Sequence, residues 1–270
     1  MRAIKSVAFE NIWITGASLG IGAALSDLYA APGVTLGLLS RGAEQLEEVA
    51  AQCREKGAVV YTYVADVTDM DGLRRCALDF QSRVRSVDLV IANAGIRIEE
   101  DTDYQDISVP ARVMEVNYGG VINTFSPFIP AMKERRSGHL AVVSSIAAFR
   151  GTPNSGAYSA SKAAINVWTE SLRLRLSPHG ICVSTLCAGF VQTAMTSSLD
   201  FWMPGILSPE EAAAIMASAI RRRKRIVTFP WQSKMIWTFF RALPGPLYDR
   251  LILWAKARQT KQDRDQGLLQ

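Results

Sequence analysis

Apolar, β-branched runs recur along the chain at Ile12–Thr15, Val34–Leu39, Val59–Val64, Val87–Ala92, Leu140–Ser145 and Cys182–Leu186. Between them lie stretches with helical character at Ile21–Ala30, Glu44–Lys56, Gly72–Val84, Val113–Lys133 and Tyr158–Ser177. Strands alternating with helices imply right-handed crossovers, and hence a parallel sheet with helices on both faces. The strands are nearly continuous in apolar residues, as burial on two sides demands. The predicted fold class is therefore α/β, a doubly wound parallel sheet forming a single domain. A ligand in such a sheet binds beyond the carboxyl ends of the strands, so motifs at strand ends carry the most information. The pattern lapses twice. Residues 189–207 read as an apolar loop, and from Ile226 onward the alternation breaks. A domain over residues 1–230 followed by a C-terminal helical extension over 231–270 is expected.

Composition narrows this picture only slightly. The 270 residues are 49% apolar and 20% charged, which suits one domain with a substantial core. No apolar run is long enough to span a bilayer. Met1 to Glu10 lacks an apolar stretch of signal-peptide length, so export is not expected. Cys53, Cys76, Cys182 and Cys187 have no metal-ligand spacing; they read as reduced thiols of a cytoplasmic protein, and no metal is expected. The formal charge is +5, with much of the excess in Arg221-Arg222-Arg223-Lys224-Arg225. That run closes a helix-like stretch that opens on Glu210 and Glu211, so its cations complement the helix dipole. One short run without aromatics is poor support for a nucleic-acid partner, and none is expected. His139 and His179 precede strands in turn-like settings and receive no role.

Chemistry enters at the strand ends. The first strand runs into Thr15-Gly16-Ala17-Ser18-Leu19-Gly20-Ile21-Gly22 and then a helix. Glycines there let the backbone turn tightly and approach a pyrophosphate, which a helix N-terminus stabilises. The spacing is not G-x-G-x-x-G, so the turn alone is a weak signal. The third strand ends in Asp66-Val67-Thr68-Asp69 and the fourth in Asn93-Ala94-Gly95, while Asn117 lies in the next helix. Tyr158 and Lys162 stand at i and i+4, on one helix face, and Ser144-Ser145 close the strand before them. Singly, each of these is an ordinary surface pair, strand-end serine or helix residue. Together they form a constellation.

That constellation resembles the short-chain dehydrogenase/reductase family in its compact single-domain form, over roughly residues 10 to 230. T-G-x-x-x-G-x-G is matched by Thr15 to Gly22, N-A-G by Asn93 to Gly95, and Y-x-x-x-K by Tyr158 and Lys162. The family serine is matched by Ser145, which its spacing to Tyr158 selects over Ser144. The resemblance implies a Rossmann-type fold and hydride transfer between a nicotinamide cofactor and a carbonyl or hydroxyl carbon. It makes Asn117, Ser145, Tyr158 and Lys162 the catalytic residues, with Asn117 anchoring a water that relays protons from Lys162. It assigns the cofactor to Gly16, Ser18, Leu19, Gly20, Ile21, Ser40, Arg41, Asp66, Val67, Asn93, Ala94, Gly95, Tyr158, Lys162, Gly189, Val191 and Thr193. Ala188-Gly189 stands where the family usually has Pro-Gly, which predicts a more mobile loop. It also implies a homodimer or homotetramer, paired through the helices near Val113–Lys133 and Tyr158–Ser177.

The residues support the chemistry independently. A free tyrosine, with pKa near 10, is a reluctant base at neutral pH, and an ammonium one turn away stabilises its phenolate. Retention of Tyr158, Lys162 and Ser145 argues against a catalytically quiet nucleotide-binding scaffold. The second strand ends in Ser40-Arg41, where NAD-specific folds usually carry a carboxylate for the ribose 2′-hydroxyl. Serine repels no 2′-phosphate, and a guanidinium suits one, so NADP(H) is expected over NAD(H). Phe149, Pro153, Met195, Phe201 and Trp202 are expected to line the substrate pocket beside Ser145 and Tyr158. No arginine or lysine occurs from Phe190 to Leu207, which favours a hydrophobic carbonyl or alcohol over a small soluble one or an acidic one. In the tail, Lys234, Thr238 and Arg241 share one face of a helix-like stretch, and Met235, Ile236, Trp237, Phe239 and Phe240 cover the rest. Such a helix suits docking on the domain, subunit pairing or peripheral membrane contact.

Overall fold

The computed structural model describes residues 9–99, 108–153, 155–197 and 205–265. Seven strands form one wholly parallel sheet in the order β3-β2-β1-β4-β5-β6-β7. They are β1 (Asn11–Thr15), β2 (Thr35–Ser40), β3 (Val59–Val64), β4 (Leu89–Ala92), β5 (Gly138–Ser145), β6 (Ile181–Ala188) and β7 (Ile226–Phe229). The order reverses between β1 and β4, which opens the crevice where such sheets bind ligands.

Alternate side chains of each strand enter two separate cores. Ile12, Ile14, Leu36, Leu38 and Val143 face α1 (Gly20–Tyr29), α2 (Ala43–Glu55) and α8 (Pro209–Arg221). Trp13, Leu39, Val90, Leu140 and Val142 face α3 (Met70–Arg83), α5 (Gly120–Phe125), α6 (Ile129–Glu134) and α7 (Gly156–Leu176). Trp13 is fully buried, and its ring meets Tyr63, Phe80 and Phe128 at 5.1, 5.4 and 5.5 Å. Gly37 makes room for it, since a Cβ there would stand 2.6 Å from the indole.

The structure corrects three expectations. The stretch Val113–Lys133 is not one helix. It comprises α4 (Ser108–Met114), a π-helical turn at Glu115–Gly119, then α5 and α6, separated at 126–128. Ile226–Phe229 does not break the alternation: it is the seventh strand, delivered by α8, and Arg221 sits in the last turn of that helix as the dipole argument requires. His139 lies inside β5, buried, with Nε2 2.8 Å from Ser184 Oγ, and burial pushes its pKa down to about 4. Ala188, which stands where the family usually has proline, ends β6. It pairs with Ser145 on one side and Phe229 on the other, and Gly189 N–H donates to Phe229 O at 2.7 Å.

The tail forms α9 (Trp231–Ala242) and α10 (Gly245–Asp265), and α9 docks on the domain. Ser233 is fully buried against Gly189, where a Cβ would lie 2.6 Å from its Oγ. Arg150 receives the end of α9, donating from Nε to Phe240 O at 3.3 Å and from Nη2 to Leu243 O at 2.6 Å. Its guanidinium lies 4.4 Å from the ring centroid of Tyr248, whose hydroxyl donates to Gly151 O at 2.6 Å. One arginine thus satisfies carbonyls that a helix C-terminus leaves open. Arg150→Ala should cost about 1.5–3 kcal/mol, the usual worth of charged hydrogen bonds. It should also raise amide hydrogen exchange selectively in α9 and the start of α10. Unchanged exchange there would show that the docking does not depend on Arg150.

Candidate active site

Along the carboxyl edge of the sheet runs a cavity of about 370 Å³. All the residues expected to hold a cofactor line it, from Gly16, Ser18, Leu19, Gly20 and Ile21 through Ser40, Arg41, Asp66, Val67, Asn93, Ala94 and Gly95 to Tyr158, Lys162, Gly189, Val191 and Thr193. Ser145 and Met195 line it as well. Gly16 and Gly20 have φ of +66° and +53°, a region that strains other residues. A Cβ on Gly22 would stand 2.0 Å from Gly16 O, so α1 begins in direct contact with the turn. Asn93 braces this arrangement across the crevice: its Nδ2 donates to Thr15 O at 3.2 Å and Gly16 O at 3.0 Å. A bare backbone, a helix N-terminus and an open crevice fit a dinucleotide's pyrophosphate.

At one end of the cavity, the Ser145 hydroxyl accepts from Ala147 N–H at 3.1 Å and hydrogen-bonds the Tyr158 phenol. Burial raises the pKa of Tyr158, while that hydrogen bond and the charge of Arg97 pull it back. Lys162 is buried; its Nζ donates to Val143 O at 3.0 Å and lies 5.7 Å from the Tyr158 ring centroid. Loss of hydration pushes its pKa down to about 8. An ammonium has three donors, so Val143 leaves two for a ligand.

Asn117 sits in the π turn and does not line the cavity. Its Oδ1 accepts from Ile96 N–H at 2.8 Å, and its Nδ2 donates to Ile96 O and Ser161 Oγ, both at 2.9 Å. The amide therefore ties the strand end after Gly95 to α7, because Ser161 Oγ in turn donates to Tyr158 O at 2.8 Å. With its amide engaged, a relay water would need another atom of Asn117.

At the other end, Ser18 Oγ and Ser40 Oγ lie 2.7 Å apart. Arg41 reaches out to Asp66 at 3.6 Å, and Arg112 of α4 meets the same carboxylate oxygen at 3.3 Å and Glu115 at 2.8 Å. Burial works against ionising Asp66. Hydrogen bonds from the main chain and hydroxyl of Thr68, with both arginine charges, outweigh it and hold the pKa below the usual carboxylate range.

Of the expected substrate contacts, Phe149 and Pro153 fall outside this cavity. Phe149 packs beneath Arg241, 5.8 Å from its guanidinium, and Pro153 is exposed. Phe201 and Trp202 lie outside the described residues. Sequence reasoning passed over Arg97 and Arg112, which belong to no motif. Arg97 follows Asn93-Ala94-Gly95 by two residues, is half-buried, and donates to Ser155 Oγ at 3.3 Å just before α7.

Comparison with known proteins agrees with this geometry. The family model for short chain dehydrogenases matches residues 10–203. An uncharacterized oxidoreductase of Myxococcus xanthus is 32% identical, over 91% of this chain and 97% of its own length. A fatty acyl-CoA reductase of Acinetobacter baylyi is 33% identical, over 84% of this chain and 80% of its own. Among solved structures, a 3-ketoacyl-ACP reductase from Sinorhizobium meliloti superposes with a TM-score of 0.75 at 28% identity, covering 83% of this chain and 99% of that one. Seven parallel strands, a crevice at their reversal point and this match over most of the sequence lead to one conclusion: the chain belongs to the short-chain dehydrogenase/reductase family of oxidoreductases.

Proposed function

We propose that the protein interconverts an apolar carbonyl compound and its alcohol, using NADP(H) in preference to NAD(H), with Tyr158 as the acid/base. One observation carries this reading. The cavity holds Ser145, Tyr158 and Lys162 at one end and Ser18, Ser40 and Arg41 at the other. A nicotinamide cofactor bound along it would supply or accept the hydride. In reduction, the Tyr158 hydroxyl gives its proton to the carbonyl oxygen. Ser145 Oγ accepts from Ala147 N–H, and its one hydroxyl hydrogen, which meets the Tyr158 phenol, would turn to stabilise charge on that oxygen. Lys162, fixed by Val143 O, offers its remaining N–H groups to ribose hydroxyls. Asn117 positions Tyr158 through Ser161 and carries the relay water. The apolar substrate is supported by Met195, by the sequence of the 190–207 loop, and by the named activity of the Acinetobacter relative. Pairing of subunits through α7 is supported by Val167 and Leu174, both well exposed at i and i+7.

Tyr158→Phe keeps the ring but removes the proton, so turnover of a carbonyl panel should fall about 10²–10⁴-fold. Cofactor affinity, measured by fluorescence titration, should hardly change. Retention of more than about a tenth of the rate would contradict the assignment.

Cofactor choice is tested by kcat/KM with both nicotinamides. A charged hydrogen bond from Arg41 to a 2′-phosphate is worth about 1.5–3 kcal/mol, which corresponds to a preference for NADPH of roughly 10- to 100-fold. Ser40→Asp should erode it, because a carboxylate beside Ser18 would hold a 2′-hydroxyl and repel a phosphate. Equal values for the wild-type protein would refute the preference.

The charge of Arg97 yields a pH prediction. Alcohol oxidation needs the Tyr158 phenolate, and removing a nearby cation destabilises an anion, so its pKa rises. The acid limb of kcat/KM for oxidation should move to higher pH in Arg97→Leu, by up to about one unit. An unmoved limb would mean that the guanidinium does not reach the phenol.

A further inference from the structure

Docking of α9 uses only one of its faces. Ser233 is buried, and Ile236 and Phe240 are half-buried, at i, i+3 and i+7. On the opposite side Trp231, Met235 and Phe239, each four residues apart, are 66%, 63% and 59% exposed. A helix that had finished packing would turn polar residues to water here. Instead α9 carries a second apolar stripe that the domain does not cover. On α10, Leu247, Leu253 and Trp254 are likewise more than half exposed, while Tyr248 is buried inward. An unpartnered patch of this kind, with two tryptophans in it, marks an interaction surface.

Charge identifies what covers it. Residues 231–258 contain five cations, Lys234, Arg241, Arg250, Lys256 and Arg258, against the single carboxylate of Asp249. Lys234 and Arg241 are exposed and seven residues apart, so they run along one border of the α9 stripe. The Arg258 guanidinium sits 4.3 Å from the Trp254 ring centroid. A second copy is a poor occupant, since a two-fold contact lays this basic surface against itself. A surface of anionic lipid headgroups matches both features: its charge meets the cations and its acyl boundary takes the tryptophans. Among the described residues no helix is long and apolar enough to cross a membrane, so the contact is one that lies on the surface.

The location gives the contact a purpose. α9 starts at the carboxyl end of β7, the edge of the sheet that holds the cavity. Its inner face presses on Gly189, a cavity residue, and Arg241 covers Phe149, four positions past Ser145.

We propose that the outer faces of α9 and α10 seat the protein on an anionic membrane surface, with the mouth of its active site beside the lipid. The site's supply from the bilayer rests on the apolar-substrate reading above; the surface itself does not.

The test is co-sedimentation of the full chain with vesicles of phosphatidylcholine alone or mixed with phosphatidylserine, across a range of salt. The protein should pellet with the mixed vesicles and be released as salt rises. The triple variant Trp231→Ser, Met235→Ser, Phe239→Ser changes only exposed side chains. It should bind at least about tenfold more weakly while keeping wild-type turnover of a short, water-soluble carbonyl. Lys234→Glu with Arg250→Glu should abolish the preference for phosphatidylserine. A full chain that stays in the supernatant overturns the proposal, as does a triple variant that binds equally well. A triple variant that turns a dimer into a monomer, with no lipid binding by the parent, assigns the stripe to a second copy and overturns it too. Comparing short soluble carbonyls with long-chain ones in detergent tests the substrate reading separately, so the two can fail independently.

Discussion

The amide of Asn93 holds the site open by bonding to Thr15 O and Gly16 O across the gap where the strand order reverses. At that point β1 and β4 send their chains to opposite faces of the sheet, and their ends would otherwise be free to splay. The same Nδ2 would stand 2.6 Å from a Cβ on Gly22, so amide, turn and first helix form one contact. From this knot the cavity extends both ways. Toward β2 and β3 it meets groups suited to a nucleotide's sugar and base; toward β5 and α7 it meets groups suited to proton transfer.

In the second half of the cavity, burial is the largest influence on both titratable groups. Sequence reasoning expects Lys162 to hold the phenolate of Tyr158. The lysine is one turn away, as the i, i+4 spacing requires, but it has spent one N–H on Val143 O and is pushed down to about 8 by lost hydration. Burial raises the phenol's pKa, and the Ser145 hydroxyl and the charge of Arg97 pull it back. Ser145 of β5 and Arg97 of the loop after β4 thus act on the phenol from outside its own helix.

Much of the fold was legible because parallel strands buried on both faces are written as apolar runs. β3 has the expected bounds, and β1, β2, β4, β5 and β6 differ by a few residues at their ends. What escaped did so for physical reasons. β7 is a short edge strand, half exposed, following a run of five cations, so its apolar residues do not stand out. The breaks in the fourth crossover are hard to see because the π turn and the short gap at 126–128 both continue in residues compatible with a helix. The glycine turn, Asn93-Ala94-Gly95 and Ser145 reach the cavity because each follows or ends a strand, and Tyr158 and Lys162 reach it from one face of α7. Arg97 and Arg112 carry no such signature, and their meaning comes from what they approach. In the tail, the inward face carries little sequence signal because its most buried residue, Ser233, is polar and small, as the close approach to Gly189 requires.

The π turn at Glu115–Gly119 has a consequence for how this protein can vary. A π turn holds one residue more than the α-helical path it replaces. Asn117 faces Ile96 and Ser161 only because that extra residue advances the helix phase at its position. Deleting a residue of the turn other than Asn117 would let the α-helix close up, rotating Asn117 by about 100° relative to one flank. The hydrogen bonds would be lost although every side chain in them remained. At this place the chain is under a constraint of length, which no substitution can satisfy and which an aligned column of identical asparagines would not reveal.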